Sequence, residues 1–341
     1  MKNILVTGGL GYIGSHTVIE LLKANYKVHI IDNFSNSDLV MLHRIEQLSD
    51  SKPQFTALDL REESMVLSFF ELNKDIDGVI HFAALKSVGE SVNKPLEYYN
   101  NNISGLNNLL KGMAINKVGN LVFSSSCTVY GSPEILPVTE HTPIGFTPSP
   151  YGATKQISER IIEDFAHSIE WLSAISLRYF NPIGAHDSGM IGELPSGVPN
   201  NLMPYITQTA AGLRKELSVF GDDYKTHDGT AVRDYIHVMD LADAHVKSID
   251  YLERIKTENQ HLKINIGTGK GLSVLDIIHS FERTAGIKLA YKIAPRREGD
   301  VETIYGDVSL AKQILNWEAK YTVDDMTRSA WVWEKNFRGI Q

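Results

Sequence analysis

Tyr151 and Lys155, four residues apart in the stretch "PSPYGATKQISER", are the residues of this chain best typed and spaced for proton chemistry. That spacing puts both side chains on one face of a helix, which Ser149 is placed to cap and Pro150 to begin. A phenol with a pKa near ~10 is a poor base at neutral pH, but an ammonium within ~4–6 Å favours the phenolate by about 1–3 units. The spacing therefore predicts that Lys155 lowers the Tyr151 pKa, and that Tyr151 takes a proton from a hydroxyl while hydride leaves the same carbon. Tyr-x-x-x-Lys pairs are common on helix surfaces. This one gains meaning from Ser126, which ends a strand-like run earlier in the chain and is typed to donate to the developing oxygen and position it.

A base of this kind needs a hydride acceptor nearby, and "VTGGLGYIGSHTVIELL" (6–22) is built to hold one. Gly8, Gly11 and Gly14 are spaced G-x-x-G-x-x-G between a strand and a helix. The first allows a tight turn, the second lets backbone approach a pyrophosphate, and the third lets helix pack closely on strand. The helix N-terminus then presents N–H groups and a positive dipole end to the phosphates. Asp32 ends the next strand, where a carboxylate bonds the ribose hydroxyls. Its neighbours are Asn33, Phe34, Ser35 and Asn36, with no arginine for a 2′-phosphate, so the expected cofactor is NAD rather than NADP.

The elements that must position these groups are short apolar runs at 4–7, 27–32, 54–59, 78–83, 121–126 and 173–180, alternating with helical patterns. Runs apolar on both faces predict a parallel sheet covered by helices, an α/β doubly wound Rossmann domain. Ligands collect beyond the carboxyl ends of such strands. That rim carries Gly8, Asp32, Asp59, His81, Phe82, Ala83, Ala84, Ser124, Ser125, Ser126, Tyr179, Phe180 and Asn181. From Asn181 the alternation fades into glycine- and proline-rich sequence. The expected division is an NAD-binding domain over 1–180 and a smaller α/β domain over 181–341 that closes over the rim, with a segment at about 233–270, containing the strand-like "INIGTG", returning to the sheet.

A length of 341 residues suits two domains. The net charge of -8 argues against nucleic acid or an anionic membrane as a bulk partner, so an anionic ligand needs a local basic cluster. One cysteine, Cys127, excludes an internal disulfide and a multi-cysteine metal site. Strand-like sequence from Ile4 leaves no room for a targeting segment, and no apolar run approaches the ~20 residues that span a bilayer, so the expected location is cytoplasmic. The histidines lack H-E-x-x-H spacing and "DDYKTHDGTAVRDY" misses the calcium-loop pattern, so no metal is expected. His81 is expected to pack at a strand end, Cys127 as a small buried residue, and Trp331 and Trp333 as structural.

Beyond these single features, the chain resembles the extended short-chain dehydrogenase/reductase superfamily, and within it the 4-epimerases of UDP-hexoses. The resemblance runs through "VTGGLGYIGSHT", "HFAALKSVGESVNKPLEYYNNN", "SSSCTVYG", "SPYGATK", "LRYFNPIGAH", "GVPNNLMPYI", "VRDYIHVMDLADAHV" and "APRREGD", nearly the whole chain. It implies catalysis by Ser126, Tyr151 and Lys155. It implies NAD contacts from Tyr12, Ile13, Asp32, Asn33, Phe34, Ser35, Asn36, Ser37, Asp59, Leu60, Phe82, Ala83, Ala84, Leu85, Lys86, Asn101 and Phe180. UDP-glucose and UDP-galactose would meet Lys86, Tyr179, Asn181, Asn201, Leu202, Ser218, Val219, Phe220, Arg233, Arg297, Asp300 and Ile304. Two arginines from separate segments suit a pyrophosphate. Ile304 stands where relatives carry a large aromatic or a small side chain near the sugar's 2-substituent. Its intermediate size favours the glucose/galactose pair and leaves the N-acetylated pair open. The resemblance also implies a homodimer through helices near 95–115 and 151–167.

Two other readings compete. A nucleotide-sugar 4,6-dehydratase shares the fold and the Tyr–Lys pair but resembles a pattern with Asp-Glu after the hydroxyl residue, where this chain has Cys127-Thr128. A non-catalytic NAD-sensing module needs the glycines and Asp32 but has no use for Tyr151, Lys155, Arg233 and Arg297.

Overall fold

The apolar runs do form strands. In the computed structural model, which describes residues 1–195, 197–255, 260–297 and 300–340, β1 (Asn3–Thr7), β2 (Lys27–Asp32), β3 (Gln54–Ala57), β4 (Gly78–His81), β5 (Asn120–Ser126) and β6 (Ser173–Tyr179) coincide with the expected segments to within two residues at each end. Glu298 and Gly299 of the "APRREGD" stretch lie outside the described residues. After β7 (Asn181–Ile183), β8 (Leu217–Phe220) and β9 (Val232–His237), β10 (His261–Ile266) contains the "INI" of "INIGTG" and pairs in parallel with β6. The sheet order is β10-β6-β5-β4-β1-β2-β3, all parallel.

Alternation along each strand makes two cores. Ile4, Val6, Ile30, Ile80, Val122 and Ile175 face a layer containing the helices Tyr12–Lys23 and Val238–Ile255. Leu5, Ile31, Val79, Leu121, Phe123 and Ala174 face the helices Glu63–Leu72, Gly105–Asn116 and Pro150–Ser168. A side chain period of two thus buries both faces, which is why the runs read as continuously apolar. The helix Val238–Ile255 and β10 therefore belong to this layered body, whereas β9 lies in a small sheet with β11 (Gly271–Ser273), β13 (Thr303–Ile304) and β7. β8 pairs with β12 (Tyr291–Ala294). The smaller lobe has its own core around Met203, Ile206, Tyr235, Phe281 and Trp331.

The strand order reverses between β1 and β4, and the crevice there is tight. Gly8 has φ +68°, and a Cβ on it would stand 2.8 Å from Ala83 N. A Cβ on Gly14 would stand 2.3 Å from Gly8 O, so both positions are closed to larger residues. The helical segment expected near 95–115 is present in three pieces: Pro95–Tyr99, a π-turn Asn100–Ser104, and Gly105–Asn116. The wider turn brings Asn101 and Asn102 against the loop after β4, a placement periodicity alone would not give.

Several histidines are buried in these layers and held neutral. Burial lowers His16, His81 and His261 to about 3, and His237 and His245 to about 4. In the unfolded chain each returns toward ~6.5 and binds a proton that the native state refuses. Because the folded values are depressed, stability is greatest above about 6.5 and falls as pH drops toward 3–4. A thermal midpoint that declines steadily from pH 7 to pH 5 is expected; a midpoint flat across that range would show these imidazoles are not so held.

Candidate active site

The cofactor cradle follows from the crevice. Gly11 caps the helix Tyr12–Lys23 with no side-chain hydrogen bond, leaving its first-turn N–H groups facing outward beside the strand ends. Asp32, 7% exposed, uses Oδ2 to accept from Leu10 N at 3.1 Å and Oδ1 to accept from Phe34 N at 3.0 Å and Ser37 Oγ at 2.7 Å. It thereby ties the glycine corner to the 33–37 loop, and Oδ2, which has a single donor, keeps a lone pair for a sugar hydroxyl. Asn33 Nδ2 donates to Asp59, whose carboxyl is held down at about 2, chiefly by hydrogen bonds from Arg61. Asn102 accepts from Leu85 N at 2.9 Å and from Asn101, and donates to Leu85 O and to Thr154 Oγ1 at 3.0 Å. The loop carrying Phe82, Ala83, Ala84 and Leu85 is thus stitched to the helix of Tyr151. A shaped glycine crevice, an uncapped helix end and a ribose-ready carboxylate fit a dinucleotide.

At the neighbouring strand end the catalytic candidates meet. Ser149 caps the helix Pro150–Ser168 by accepting from Gly152 N, with Pro150 in the first turn, as expected. Lys155, 3% exposed, donates from Nζ to Ser124 O at 2.6 Å and lies 5.8 Å from the Tyr151 ring centre. The expectation that Lys155 lowers the Tyr151 pKa is corrected. Burial pushes Tyr151 up to about 12, opposed by the nearby Ser126 hydroxyl, and burial pulls Lys155 down to about 7. Both groups are stripped of water, so the lysine's charge is itself costly and the pair alone does not make a phenolate. Tyr179, in register with Ser126, is 6% exposed and its hydroxyl lacks a hydrogen-bond partner of good geometry; burial raises its pKa, with Ser124 the nearby group opposing the rise. A buried orphan hydroxyl at this rim is a place for a ligand to bond.

The sugar-nucleotide candidates line the other side. Arg233 on β9 pairs with Asp300 at 2.5 Å, and Ile304 stands in register with Arg233, 5% exposed, in one cluster with Phe180 and Cys127. Arg297 stacks on Phe220 at 4.1 Å, beside Ser218 and Val219 of β8. Asn181 opens β7. Asn201 caps the helix Leu202–Ala210 and donates to Glu193 Oε1 at 2.6 Å, the same oxygen that Lys86 Nζ reaches at 3.1 Å. Glu193, which sequence reading missed, so links the two sides. Tyr12, donating to Gly184 O at 2.7 Å, does the same at the cradle. Ile13 packs against the core on one face of the sheet, and Leu60 is buried in the core on the other.

The remaining sequence candidates behave as packing. His81 bonds Thr7 Oγ1 at 2.7 Å, Cys127 is buried with its thiol pushed up to about 12 by burial, and Trp331 and Trp333 are buried. Among the described residues one group has metal-ligand geometry, His227 with Asp228 and Asp276. Its carboxylates already accept from Thr230 and Ser273. No described helix is long and apolar enough to cross a membrane.

Fold and site together define a dinucleotide-dependent enzyme acting on a nucleotide sugar. The family model described as "GDP-mannose 4,6 dehydratase" matches residues 5–330. The UDP-glucose 4-epimerase of Drosophila melanogaster is 50% identical, over 97% of this chain and 96% of its own, and that of Pasteurella multocida is 51% identical, over 97% of each. Two solved structures superpose over the full length of both chains with a TM-score of 0.95: the UDP-glucose 4-epimerase of Stenotrophomonas maltophila with NAD and formylated UDP-arabinopyranose, 46% identical, and that of Bifidobacterium longum with NAD+ and UDP, 47% identical. The chain belongs to the UDP-glucose 4-epimerase family of extended short-chain dehydrogenases/reductases.

Replacing Gly14 with alanine places a methyl group on the Gly8 carbonyl. We expect Gly14→Ala to fold with a loss of about 1–3 kcal/mol, typical of overpacking, and to purify with little bound NAD by absorbance and mass analysis. Full retention of dinucleotide would remove the corner from the cradle.

Proposed function

We propose that the protein interconverts UDP-galactose and UDP-glucose through a 4-keto sugar, with Tyr151 as base and acid, Ser126 holding the reacting oxygen and Lys155 supplying charge. The observation that carries this reading is the meeting of Tyr151, Ser126, Lys155 and the orphan Tyr179 hydroxyl at one buried strand end beside the glycine crevice.

NAD bound there supplies a reversible hydride acceptor and a positive charge, the charge that the Tyr151–Lys155 pair lacks by itself. Tyr151 removes the proton from O4 as the C4 hydrogen leaves, and Ser126 keeps that oxygen in line. After the ketone has turned about its pyrophosphate linkage, the hydrogen is restored to the opposite face of C4 as Tyr151 returns the proton to O4. Arg233 and Arg297 hold the pyrophosphate, and Tyr179, Asn181, Asn201, Leu202, Ser218, Val219, Phe220 and Asp300 complete the nucleotide-sugar pocket. Lys86 reaches both ligands, and Asp32 to Ser37, Asp59, Leu60, Phe82 to Leu85, Asn101 and Phe180 surround NAD. Ile304, beside Arg233, supports the glucose/galactose pair as main substrates. No acid follows Ser126, which disfavours the dehydratase reading. Leu96, Ile115 and Ile157, apolar and 82%, 43% and 40% exposed on the 95–115 and 151–167 helices, support a homodimer built on them.

Purified protein given UDP-galactose without added cofactor should form UDP-glucose, followed by proton NMR. Protein that is folded and NAD-loaded yet inert toward both sugars would end this reading. In the same assay Tyr151→Phe should lose turnover by about 10²-fold or more while keeping NAD; activity within a few-fold of the parent would mean another group is the base.

A further inference from the structure

Three successive residues at the carboxyl end of β5 meet three successive turns of the helix Pro150–Ser168. Ser126 stands near the Tyr151 hydroxyl, where it opposes the rise of the phenol's pKa, Ser124 O accepts Lys155 Nζ at 2.6 Å, and Ser125 Oγ donates to Glu159 Oε1 at 2.6 Å. The first two contacts belong to the proton-transfer site. The third does not touch it, yet it is the most strongly built. Glu159, 1% exposed, accepts from Arg178 Nε at 2.9 Å and from a terminal guanidinium nitrogen at 2.6 Å, a two-pronged buried ion pair. Arg178 lies on β6 in register with Ser125. It also donates to Tyr130 OH at 3.1 Å, which donates to Asn265 Oδ1 at 2.6 Å on β10.

We propose that Glu159 is a positioning residue for the reaction: clamped by Ser125 and Arg178, it fixes the turn and depth at which the helix offers Tyr151 and Lys155 to Ser126 and Ser124, and its carboxylate balances the buried Lys155 ammonium one turn away. The inference rests on the Tyr151–Lys155 reading above and deepens it.

The charge argument follows from what else faces these groups. Around Lys155 and Tyr151 stand His81 at the end of β4, the Ser124 carbonyl and Ser126 on β5, Cys127 beyond it, and Tyr179 on β6. Each is neutral at pH 7: burial holds His81 down at about 3 and raises the Cys127 thiol and the Tyr179 phenol. Burial also opposes the charge on Lys155, and Glu159 is the group that acts against it. Around Glu159 stand Arg178, Ser125 and Tyr130, with Glu140 and His261 near Arg178 and the Lys263–Glu163 pair one turn on. A buried pair of this kind is weak evidence for stability, since apolar replacements are often tolerated. Its alignment with the catalytic turns is what suggests a catalytic use.

The test uses the NAD-loaded enzyme and the variants Glu159→Gln, Glu159→Asp and the apolar double variant E159L/R178M, which removes both partners of the ion pair so that Arg178 is not left unpaired. Readouts are bound NAD, thermal midpoint, kcat, KM and the pH titration of tyrosinate absorbance, with Tyr151→Phe identifying the Tyr151 component. We expect E159L/R178M to fold and keep NAD, its Tyr151 titration to move up by about one unit, and kcat at pH 7 to fall about tenfold with KM little changed. Glu159→Asp should recover part of both. A double variant with parental titration and kcat would reduce Glu159 to a packing pair. Carboxyl carbon NMR of the unmutated holoenzyme provides a check that needs no variant: Glu159 must be ionised at pH 7, and a protonated carboxyl would overturn the proposal. Should Tyr151→Phe retain turnover, the underlying reading fails; should it be inactive while the Glu159 variants match the parent, only this inference fails.

Discussion

An ammonium held out of water is the constraint around which this active site is arranged. Lys155 has three donors, a backbone carbonyl for one of them, the Phe123 ring 4.9 Å away and the Tyr151 ring above it. A charge in such surroundings is expensive unless something nearby is negative or becomes so. The structure supplies a fixed negative group in Glu159 and a group able to become negative in Tyr151. In the protein alone burial prevails, leaving Tyr151 a phenol and Lys155 close to losing its proton. On the proposed function, proton transfer through Tyr151 then depends on a further positive charge arriving, which suits an enzyme that acts on its sugar only when loaded with oxidised cofactor.

Rigidity around that point is obtained from backbone rather than from long side chains. Gly8 and Gly14 bring a loop, a strand end and a helix within contact distances that no Cβ would permit. Asp32 and Asn102 then use each of their polar atoms to tie neighbouring loops together. Buried carboxylates and amides satisfied this fully hold their loops in one arrangement, because any displacement leaves polar atoms unpaired in a dry region. The opposite wall is looser: Arg297 is exposed and stacked on Phe220, and Lys86 and Asn201 converge on Glu193 across the opening. A tight wall for the retained cofactor and a more open one for an exchanging nucleotide sugar match the different residence each ligand needs.

The two-lobed layout reconciles the acidic chain with an anionic ligand. With a net charge of -8 the chain has no bulk attraction for diphosphates, so the positive groups must be local. Arg233 is kept in place by Asp300 and the backbone carbonyl of Val232, partners it can share with a phosphate as a guanidinium has five donors. Ile304 lies in register with it, so the positions proposed to bound the sugar's substituent and to hold its phosphate are set by the same pairing of β13 with β9.

The sequence by itself determined the strands, the helix of Tyr151 with its Ser149 cap, and the glycine corner, because each depends on neighbours in the chain: alternation, capping and turn chemistry are local. It also determined which residue types were available for hydride and proton transfer. Only the tertiary structure decided how they behave. The sign of the Tyr151 shift depends on burial, which spacing does not report. The ties from Glu159 to Arg178, from Tyr130 to Asn265, and from Glu193 to Lys86 and Asn201, join residues far apart in the chain, and nothing local marks a glutamate as buried and paired rather than solvated. The π-turn at Asn100–Ser104 and the place of β10 beside β6 were likewise settled by what those segments pack against, although the return of "INIGTG" to the sheet was legible in the sequence.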